Sequence, residues 1–492
     1  MGAVGARRAQ IRNPRVAAST ARFYTLPPMA RPSTLGALRD AGYAPRSVRD
    51  EMRGNLVTRL ERGERLFPGI IGYDDTVIPE IENAILSGHH IVLLGERGQG
   101  KTRLIRGLVE LLDAETPAVA GCEINDDPFQ PVCAACRRRV ASEGSDLRVT
   151  WLPRDARYGE KLATPDVTIG DLIGEIDPVR IAEGRYLADE ETIHFGILPR
   201  THRGIFAINE LPDLTEKVQV GLFNVMEERD FQIKGFKVRM PLDVVVVATA
   251  NPEDYTSRGR IVTPLKDRFD VQVRTHYPRT IDDEIAIMEQ EVSGADRDGR
   301  PVRIPGFLRE IIARITFEAR AAPEISRSSG VSVRVSLNNL ETVIANAEKR
   351  AIRCGEREIV PRITDLPAVV ASTIGKIELD YGVDQQGDAL VERVINRAVK
   401  VTFDRHAELE RLAGITDYIG QGWGVAVSDA MPSSEYLAGI ATIPGLRESI
   451  DALGPFESPG LMASAAEFVL EGLHLHDKLD REREGGRMVF KA

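Results

Sequence analysis

Residues 95–102 read Gly-Glu-Arg-Gly-Gln-Gly-Lys-Thr, which matches the G-x-x-x-x-G-K-[ST] pattern of a phosphate-binding loop. Glycines at this spacing let the backbone curl until its N–H groups converge on phosphate oxygens. Lys101 would reach the β- and γ-phosphates of a nucleotide, and Thr102 would ligate Mg²⁺. We therefore expect the whole loop to bind a nucleotide through Gly95, Glu96, Arg97, Gly98, Gln99, Gly100, Lys101 and Thr102.

The segments around this loop have the character that such a site requires. The apolar run from Ile91 to Leu94 has the length of a buried strand, and residues 102–112 are predicted to be helical. The positive end of that helix would add to the anion site. A strand, a loop and a helix in this order distinguish the motif from a chance match.

Two further strands are predicted to deliver polar residues at their ends. The apolar run from Gly204 ends in Asn209 and Glu210, where one residue would contact the Mg²⁺ shell and the next acid would polarise the attacking water. Because Asn209 carries no charge, we expect weakened Mg²⁺ binding and slower turnover. The run 244–249 leads to Asn251, whose amide can orient that water, although Asn-Pro also initiates turns.

The pattern of apolar residues predicts an α/β fold followed by a helical region. A parallel sheet covered on both faces is expected from strands at 91–94, 149–152, 204–208, 244–249 and 271–273, with helices at 77–86, 102–112 and 216–228. After Thr280 the pattern becomes helical, at 282–291, 305–321, 336–354, 363–378 and 387–412. We expect a flexible segment (1–50), a nucleotide-binding core (51–278), an all-α lid (279–378) and a mainly helical C-terminal extension with an irregular tail (379–492).

Taken in order, these motifs resemble those of AAA+ ATPases, and most of all the I subunit of magnesium chelatase and its bacterial relatives, with MoxR-type ATPases close by. The resemblance covers roughly residues 50–375 and rests on residues 95–102, 205–210, Asn251, the segment Pro264–Phe269 and Ser332–Ser336. It implies ATP and Mg²⁺ as ligands, a P-loop core and a homo-oligomeric ring, commonly of six subunits.

The resemblance also assigns roles to individual residues. Asn251 would be the first sensor, and Arg334 the second sensor on a lid helix. Arg268 would be an arginine finger offered to the nucleotide of the neighbouring subunit, so that hydrolysis depends on assembly. With Glu210 as base, these are the expected catalytic residues, and Thr102 and Asn209 are the expected metal ligands.

A hairpin is predicted just before the Asn251 strand. Two alternating runs flank Lys234-Gly235, and Lys234, Lys237 and Arg239 make the region basic. In the resembled family such a hairpin faces the pore or a partner. The alternative is that the hairpin only extends the sheet.

Three of the four cysteines lie close together, with Cys122 upstream of the C-x-x-C pair Cys133 and Cys136. Three interpretations remain open, namely structural zinc, a reduced surface loop and redox sensing. Zinc would need a fourth ligand from elsewhere, because Glu123, Asp126 and Asp127 are poor substitutes for a thiolate or imidazole.

Composition excludes several classes of protein. The net charge of -10 disfavours nucleic acid as a partner, and the few cysteines disfavour a secreted disulfide scaffold. Apolar stretches are too short for a membrane span, so a cytoplasmic protein is expected. The arginine-rich first 39 residues suggest a transit peptide or a start assigned too early, with Met29 as an alternative beginning.

Three functions compete. A ring motor would drive a separate partner with a von Willebrand factor A domain, since no Asp-x-Ser-x-Ser site with enough chain behind it occurs here. Such a motor would insert Mg²⁺ into protoporphyrin IX or act as a MoxR-like chaperone. A nucleic-acid motor or transcription activator is disfavoured by the acidic charge and by the lack of a helix-turn-helix signal or a Gly-Ala-Phe-Thr-Gly-Ala loop. A nucleotide-gated scaffold with weak hydrolysis is kept open by Asn209.

Overall fold

The strands fall into one parallel sheet and several short antiparallel ladders. The computed structural model describes residues 31–182, 190–232, 239–251, 260–292, 296–326, 330–379, 387–422, 424–428, 430–484 and 487–491. Its strands are β1 (Ile91–Leu94), β2 (Glu115–Val119), β3 (Val149–Pro153), β4 (Tyr158–Leu162), β5 (Gly174–Ile176), β6 (Ile193–Phe195), β7 (Gly204–Asn209), β8 (Asp230–Gln232), β9 (Arg239–Pro241), β10 (Val244–Ala250), β11 (Val271–Arg274), β12 (Val425–Val427), β13 (Asp480–Glu484) and β14 (Arg487–Lys491).

Helices surround and follow this sheet. They are α1 (Leu35–Asp40), α2 (Val48–Glu61), α3 (Val77–Leu86), α4 (Lys101–Gly107), α5 (Ala134–Glu143), α6 (Ile169–Leu172), α7 (Pro178–Ala182), α8 (Ile197–Arg200), α9 (Glu216–Gly221), α10 (Phe223–Glu227), α11 (Thr263–Lys266), α12 (Ile281–Glu291), α13 (Gly306–Ala321), α14 (Arg334–Cys354), α15 (Val369–Ile374), α16 (Gly387–His406), α17 (Ala413–Ile419), α18 (Ser433–Ile440), α19 (Leu446–Leu453) and α20 (Pro459–Leu475).

The central sheet has the strand order β11-β1-β10-β7-β4, and each neighbouring pair is parallel. Its inner strands β1 and β10 are buried along their whole length, which explains their continuous apolar sequences. Alternate residues face two separate cores, with Val92 and Val246 in one and Leu93 and Val247 in the other. This arrangement confirms the predicted α/β class, with a parallel sheet whose strand β1 leads into the predicted phosphate-binding loop.

Two details of the sheet differ from the prediction. Strand β3 was expected in the parallel sheet but pairs antiparallel with β2 outside it. The edge position is taken by β4, whose sequence Tyr-Gly-Glu-Lys-Leu was not recognised as a strand. An edge strand is covered less than a central one, so it needs no continuous apolar run.

Four predicted helices are also divided. The region 363–378 begins as a 3₁₀ segment, Ile363–Ala368, before α15, and the region 387–412 ends in a 3₁₀ segment, Leu409–Leu412, after α16. The other two lie beside the sheet. The helix after the loop is α-helical only to Gly107 and continues as a 3₁₀ segment, Leu108–Leu111. The region 216–228 forms α9 and α10 with a break at Leu222. Both segments still cover the sheet where they were expected.

The lid and the C-terminal extension share one hydrophobic core. A single cluster of buried side chains runs from Met288 in α12 to Phe490 in β14. Within it α16 packs against both α13 and α20. The predicted boundaries at 50, 278 and 378 stay predictions.

The expectation of a strand-free, irregular tail is wrong. Strands β12, β14 and β13 form an antiparallel sheet in that order. The sequence of β13 is Asp-Arg-Glu-Arg-Glu, which has no alternation of apolar and polar residues to reveal a strand.

The predicted hairpin is present as β8 and β9, which pair only with each other and do not extend the central sheet. Lys234 and Lys237, which the sequence predicts for its tip region, lie outside the described residues, as do residues 1–28. Across the described ranges, none of the helices is both long enough and apolar enough to cross a membrane.

Candidate nucleotide-binding site

The predicted phosphate-binding loop is held at its base by the sheet. The amide of Gly95 donates to the carbonyl of Ala250 in β10 (3.1 Å), and the amide of Thr275, just after β11, donates to the carbonyl of Leu94 (2.8 Å). Gly98 and Gly100 have φ angles of 77° and 73°, a left-handed conformation that favours glycine. The loop therefore has the curled backbone that its sequence predicts.

Lys101 and Asn251, which are 150 residues apart in the chain, come together beneath this loop. The Lys101 side chain is 7% exposed, and its Nζ donates to Asn251 Oδ1 (2.9 Å), to the Glu96 carbonyl (2.9 Å) and to the Gly95 carbonyl. Thr102 next to it is exposed. The contact places the first-sensor candidate against the phosphate-binding lysine.

Side chains that the sequence analysis did not single out support the loop from below. The Tyr73 hydroxyl donates to the carbonyls of Gln99 (2.8 Å) and His276 (2.7 Å), and burial raises the pKa of Tyr73 to about 12. Thr275 donates to Gln99 Oε1 (2.7 Å). Gln99 was predicted to bind the nucleotide, but its side chain is buried and accepts this hydrogen bond from Thr275. Neither Tyr73 nor Thr275 belongs to a motif or periodic pattern, so no sequence signal marks them.

A cavity of about 430 Å³ adjoins the loop on the side of β11. This volume lies within the range of small-molecule sites, roughly 300–1,000 Å³. Its lining combines the loop with basic side chains from beyond it, in the set Leu94, Gly95, Glu96, Gln99, Lys266, Gln272, Arg274 and Thr275.

Asn209 is the last residue of β7, and one of the two polar atoms of its side chain makes a hydrogen bond. Its Nδ2 donates to Glu160 Oε1 in β4 (2.6 Å), whereas its Oδ1 is buried and accepts no hydrogen bond from the residues that the structure describes. Glu160 was not predicted as a site residue, because it lies on the unrecognised edge strand. The contact with Glu160 fixes which way the Asn209 amide faces.

Glu160 is itself a well-supported carboxylate. Burial alone would raise its pKa, but hydrogen bonds from Arg106, Tyr158 and Asn209 outweigh this and hold the pKa of Glu160 below its usual value. Arg106 Nε and the Tyr158 hydroxyl each lie 2.9 Å from Glu160 Oε2. The group is therefore ionised at neutral pH and lies one hydrogen bond from Asn209.

Glu210 follows Asn209 in an unusual backbone conformation. Its φ and ψ are 57° and 49°, which is left-handed and uncommon for a residue with a side chain. Its amide donates to the Thr249 hydroxyl in β10 (2.9 Å), which ties the end of β7 to the neighbouring strand. Strained residues of this kind cost about 1–3 kcal/mol and often occur at functional sites.

The lid begins directly against the loop. A Cβ added to Gly98 would come within 1.8 Å of Ser332 Oγ, and one added to Gly330 would come within 2.1 Å of the Glu96 carboxylate. Arg334 starts α14 two residues after Ser332. Its guanidinium is exposed and, in the described ranges, makes no hydrogen bond or ion pair. The second-sensor candidate therefore lies near the loop with its charge available.

Behind this contact a buried network joins the lid helices. Arg320 donates to Glu284 (2.9 Å) and lies over the ring of Tyr277, with 4.4 Å from its Cζ to the ring centroid. Ser336 donates to the same Glu284 (2.5 Å), which is fully buried. Tyr277 in turn donates to the carbonyl of Arg97 in the loop (3.0 Å). The lid is thus connected to the phosphate-binding loop through one aromatic residue.

Arg268 does not join the other site residues within one chain. Its guanidinium pairs with Glu227, donates to the carbonyl of Pro264 (2.7 Å) and lies over the ring of Phe223. Its side chain is 25% exposed. A position away from the chain's own loop is compatible with either a surface ion pair or a contact to a neighbouring subunit.

The three clustered cysteines form a separate site. Cys133 and Cys136 are buried, so the interpretation as a surface loop is wrong for these two residues. Asp126, dismissed as a substitute ligand on sequence grounds, lies with Cys122, Cys133 and Cys136 in one compact group. Sequence spacing gave no sign of this, because the loop must fold back to bring Asp126 to the thiols.

Comparisons with known proteins place the nucleotide-binding motifs in context. Residues 181–271, which include Asn209, Glu210 and Arg268, match the family described as the sigma-54 interaction domain. The magnesium-chelatase 67 kDa subunit of Heliobacterium mobile is 28% identical over 206 residues, which cover 41% of this chain and 29% of that protein. Magnesium-chelatase subunit ChlI of Nostoc sp. is 24% identical over 287 residues, which cover 55% and 70%.

A further relative has a different name. The archaeal Lon protease of Thermococcus kodakarensis is 27% identical over 376 residues, which cover 60% of this chain and 57% of that protein. The chain thus spans less than two thirds of the Heliobacterium and Thermococcus proteins. Because these proteins have such different names, the similarity indicates a shared region of sequence rather than a shared role of the whole proteins.

Proposed function

We propose that this chain, an AAA+ ATPase that resembles the magnesium chelatase I subunit, hydrolyses ATP and uses the energy to drive a partner protein. The observation that carries the proposal is the convergence of three strand ends at one edge of the sheet. There Lys101 contacts Asn251 (2.9 Å), and Asn209-Glu210 ends the adjacent strand β7. Each of these residues follows a buried strand, so the fold itself brings them together.

The side chains at this edge suit phosphoryl transfer to water. Lys101 would neutralise charge on the β- and γ-phosphates, in place of its present carbonyl and amide partners. Glu210 would take the proton of the attacking water, and Asn251 would orient that water. Positioning and charge neutralisation supply most of the catalysis in such reactions.

The residues present also fit Mg²⁺. The ion prefers oxygen ligands, and the edge offers the exposed hydroxyl of Thr102 and the buried Oδ1 of Asn209, which has no hydrogen-bond partner among the described residues. These two would hold the ion, which would neutralise charge on the phosphates when bound. Since Asn209 is neutral, the ion would be held less tightly than by an aspartate.

Assembly into a ring would complete the site. A cation is needed where charge develops on the transferred phosphoryl group, and an arginine from a neighbour can supply it. Arg268 lies apart from its own loop with a quarter of its side chain exposed, which supports such a role. It would leave Glu227 to reach the nucleotide of the next subunit. By analogy with the resembled family, the ring would contain six subunits.

The partner would be a protein with a von Willebrand factor A domain. Two relatives are magnesium-chelatase subunits, which supports magnesium chelatase chemistry, in which the partner inserts Mg²⁺ into a porphyrin. A MoxR-like chaperone role would use the same ring and the same class of partner. The contacts at the nucleotide site are the same for both, so the partner decides between them.

A second candidate function is a nucleotide-gated scaffold with little hydrolysis. The neutral Asn209 favours it, because a weakly held Mg²⁺ slows turnover without preventing nucleotide binding. The Ser332 contact with the loop would still couple nucleotide binding to the lid.

Mixing two inactive variants tests the motor. Lys101→Ala subunits lack a nucleotide site but keep Arg268, and Arg268→Ala subunits keep the site but lack the finger. Each should be inactive alone. An equal mixture should recover roughly a quarter of wild-type ATPase activity, because half of the sites are intact and half of those face an intact arginine.

Two outcomes would contradict this proposal. Full activity of Arg268→Ala alone would mean that the arginine only pairs with Glu227 within its own chain. A wild-type protein that binds ATP in a ring without turnover would support the scaffold instead. Glu228→Ala, which removes the exposed carboxylate next to Glu227 in the chain, serves as a control that should leave activity unchanged.

A further inference from the structure

A second site lies in the loop between β2 and α5, away from the nucleotide edge. The sulfur atoms of Cys122, Cys133 and Cys136 and a carboxylate oxygen of Asp126 all lie within 4.8 Å of one another. Asp126 is 0% exposed, Cys136 2% and Cys133 7%. Four potential metal ligands are therefore held in one buried group.

Backbone hydrogen bonds shape this group around its sulfur atoms. The amide of Asp126 donates to Cys122 Sγ (3.4 Å), and the amide of Cys136 donates to Cys133 Sγ (3.3 Å). Cys133 is the N-cap of α5, a helix of 10 residues. Both the amide donors and the positive end of the helix point at sulfur atoms, where they would stabilise the negative charge of thiolates bound to a metal.

Asp126 is oriented in the same way. Its Oδ1 accepts from the Val132 amide (3.1 Å), and its Oδ2 accepts from the Cys133 amide (3.0 Å). Each carboxylate oxygen keeps a further lone pair for a metal. Within the described ranges no ion pair compensates Asp126, since the nearby Arg203 pairs with Asp127 instead (3.1 Å). A buried carboxylate beside three sulfurs calls for a cation.

We propose that Cys122, Asp126, Cys133 and Cys136 bind one Zn²⁺ in a four-coordinate site. Sulfur-rich tetrahedral sites select zinc, whereas Mg²⁺ and Ca²⁺ need sets of oxygen ligands. Zn–S bonds of about 2.3 Å place neighbouring sulfurs about 3.8 Å apart in a tetrahedron, so the group needs only a small contraction. All four positions are filled by protein, which makes the site structural rather than catalytic.

The zinc would fasten this loop to the central sheet. Arg203, the residue before β7, donates to the carbonyls of Pro117 (2.7 Å) and Asn125 (3.4 Å) and pairs with Asp127. Asn125 and Asp127 are the two neighbours of Asp126 in the chain, and Pro117 lies in β2 before Cys122. The ion would therefore keep the loop in the conformation that binds Arg203. Arg203 lies at the opposite end of β7 from Glu210.

Metal content and spectroscopy test the site. The full-length chain is produced with zinc in the medium and purified under reducing conditions, and zinc is measured by elemental analysis. We expect one zinc per chain in the wild type and in Cys354→Ala, a control that removes the one cysteine outside the group. Cys133→Ala and Cys136→Ala should lose the ion, and Asp126→Asn should bind it about tenfold or more weakly.

A second measurement does not depend on the folding of variants. The ion is removed from the wild-type chain with a chelator, and Co²⁺ is titrated in. Thiolate-to-cobalt charge-transfer bands and the intense visible bands of a tetrahedral ion are expected, with one equivalent bound. Removal of the metal should also lower the melting temperature, and added Zn²⁺ should restore it.

Three results would overturn the proposal. A reduced wild-type chain without metal and without a cobalt spectrum would leave only a thiol cluster. A mass lower by two hydrogens under non-reducing conditions, with no metal, would indicate a disulfide and redox chemistry. Loss of zinc from Cys354→Ala would place the ion elsewhere.

Discussion

The carboxyl edge of the central sheet differs from the amino edge, because beside paired groups such as Lys101 and Asn251 it carries polar groups that are exposed or, among the described residues, without a partner. At the carboxyl edge Asn209 Oδ1 is buried without a partner in the described chain, Glu210 is in a left-handed conformation, and Arg334 presents an exposed charge. At the amino edge, buried polar groups are paired. His90 Nδ1 accepts from the Val246 amide (3.0 Å), and His202 Nδ1 accepts from the Asp243 amide (3.0 Å).

Charged groups at the amino edge are paired as well. Arg157, just before β4, donates to both oxygens of Glu51 (2.7 and 2.6 Å) and to the carbonyl of Arg203 (2.8 Å). Asp243 accepts from the Val48 amide (2.7 Å). The difference teaches that one sheet separates two tasks. Ligands bind where strands of a parallel sheet end, and polar groups at the opposite edge serve folding.

The largest effect is expected from Glu210→Gln at the carboxyl edge. Loss of a general base lowers kcat by about 10²–10⁴-fold, whereas an amide of the same shape leaves ATP binding and the melting temperature unchanged. Steady-state ATPase rates and nucleotide titration measure the two quantities. Glu216→Gln, an exposed change nearby, is the control. An unchanged rate in Glu210→Gln would show that this edge is not catalytic.

The matching change at the amino edge is Glu51→Gln. Arg157 would stay buried without its counter-charge, which costs about 3–5 kcal/mol in the free energy of unfolding. Urea denaturation measures this, and ATP affinity of the folded protein should not change. Glu64→Gln removes the partner of Arg62 in an exposed pair and should cost at most about 1 kcal/mol. Equal losses in the two variants would remove the contrast between buried and exposed pairs.

Acid should lower the free energy of unfolding through two buried histidines at the amino edge. Burial first, and then nearby arginines, lowers the pKa of His90 to about 4 and that of His202 to about 3. Both values lie below the usual 6.5, so the unfolded chain binds more protons as pH falls. The stabilisation is complete above pH 6.5 and is lost below it, by about 2 kcal/mol per histidine between pH 7 and pH 5.

Asparagine variants isolate this effect. His90→Asn and His202→Asn keep an acceptor for the strand amides but cannot titrate, so each should flatten the pH dependence of the unfolding free energy. A profile as steep as that of the wild type in the double variant would assign the acid sensitivity to other groups.

The smallest effect is expected at Asn209, which lacks the charge of an aspartate beside the proposed Mg²⁺ site. Asn209→Asp would place a second carboxylate next to Glu160, now 2.6 Å from the Asn209 amide nitrogen, and the two like charges would oppose each other. We expect little gain in Mg²⁺ affinity from Asn209→Asp alone. In combination with Glu160→Gln the gain should be about tenfold. The Mg²⁺ dependence of ATPase activity measures all three variants, and a full gain in the single variant would show that Glu160 plays no part.

Much of the nucleotide edge was predictable from the sequence because each polar residue there follows an apolar strand. Lys101 was predicted from the motif at residues 95–102, and Glu210 and Asn251 were predicted from the apolar strands that they follow, because parallel strand ends must meet at one edge. Their catalytic roles stay predictions. Their supports were not predictable. Tyr73 and Glu160 act through tertiary contacts, and neither lies at the end of a recognisable strand.

The other misses have the same origin. Asp126 becomes a candidate ligand only when the loop folds back on the cysteines. The sheet of β12, β13 and β14 was missed because β13 is charged throughout, and its strands are held by pairing rather than by an apolar pattern. Local periodicity reveals buried elements, and it says little about partners brought together by the fold.

The shared core of the lid and the C-terminal extension has a mechanical consequence. Because buried side chains from α12 to β14 pack as one cluster, the helix that carries Arg334 cannot tilt without taking the last strand with it. Ser332 contacts Gly98, so a displacement of the loop at the phosphates would push on the near end of this packed unit. The sheet of β12, β14 and β13 at the far end would then move further than the residues that contact the loop.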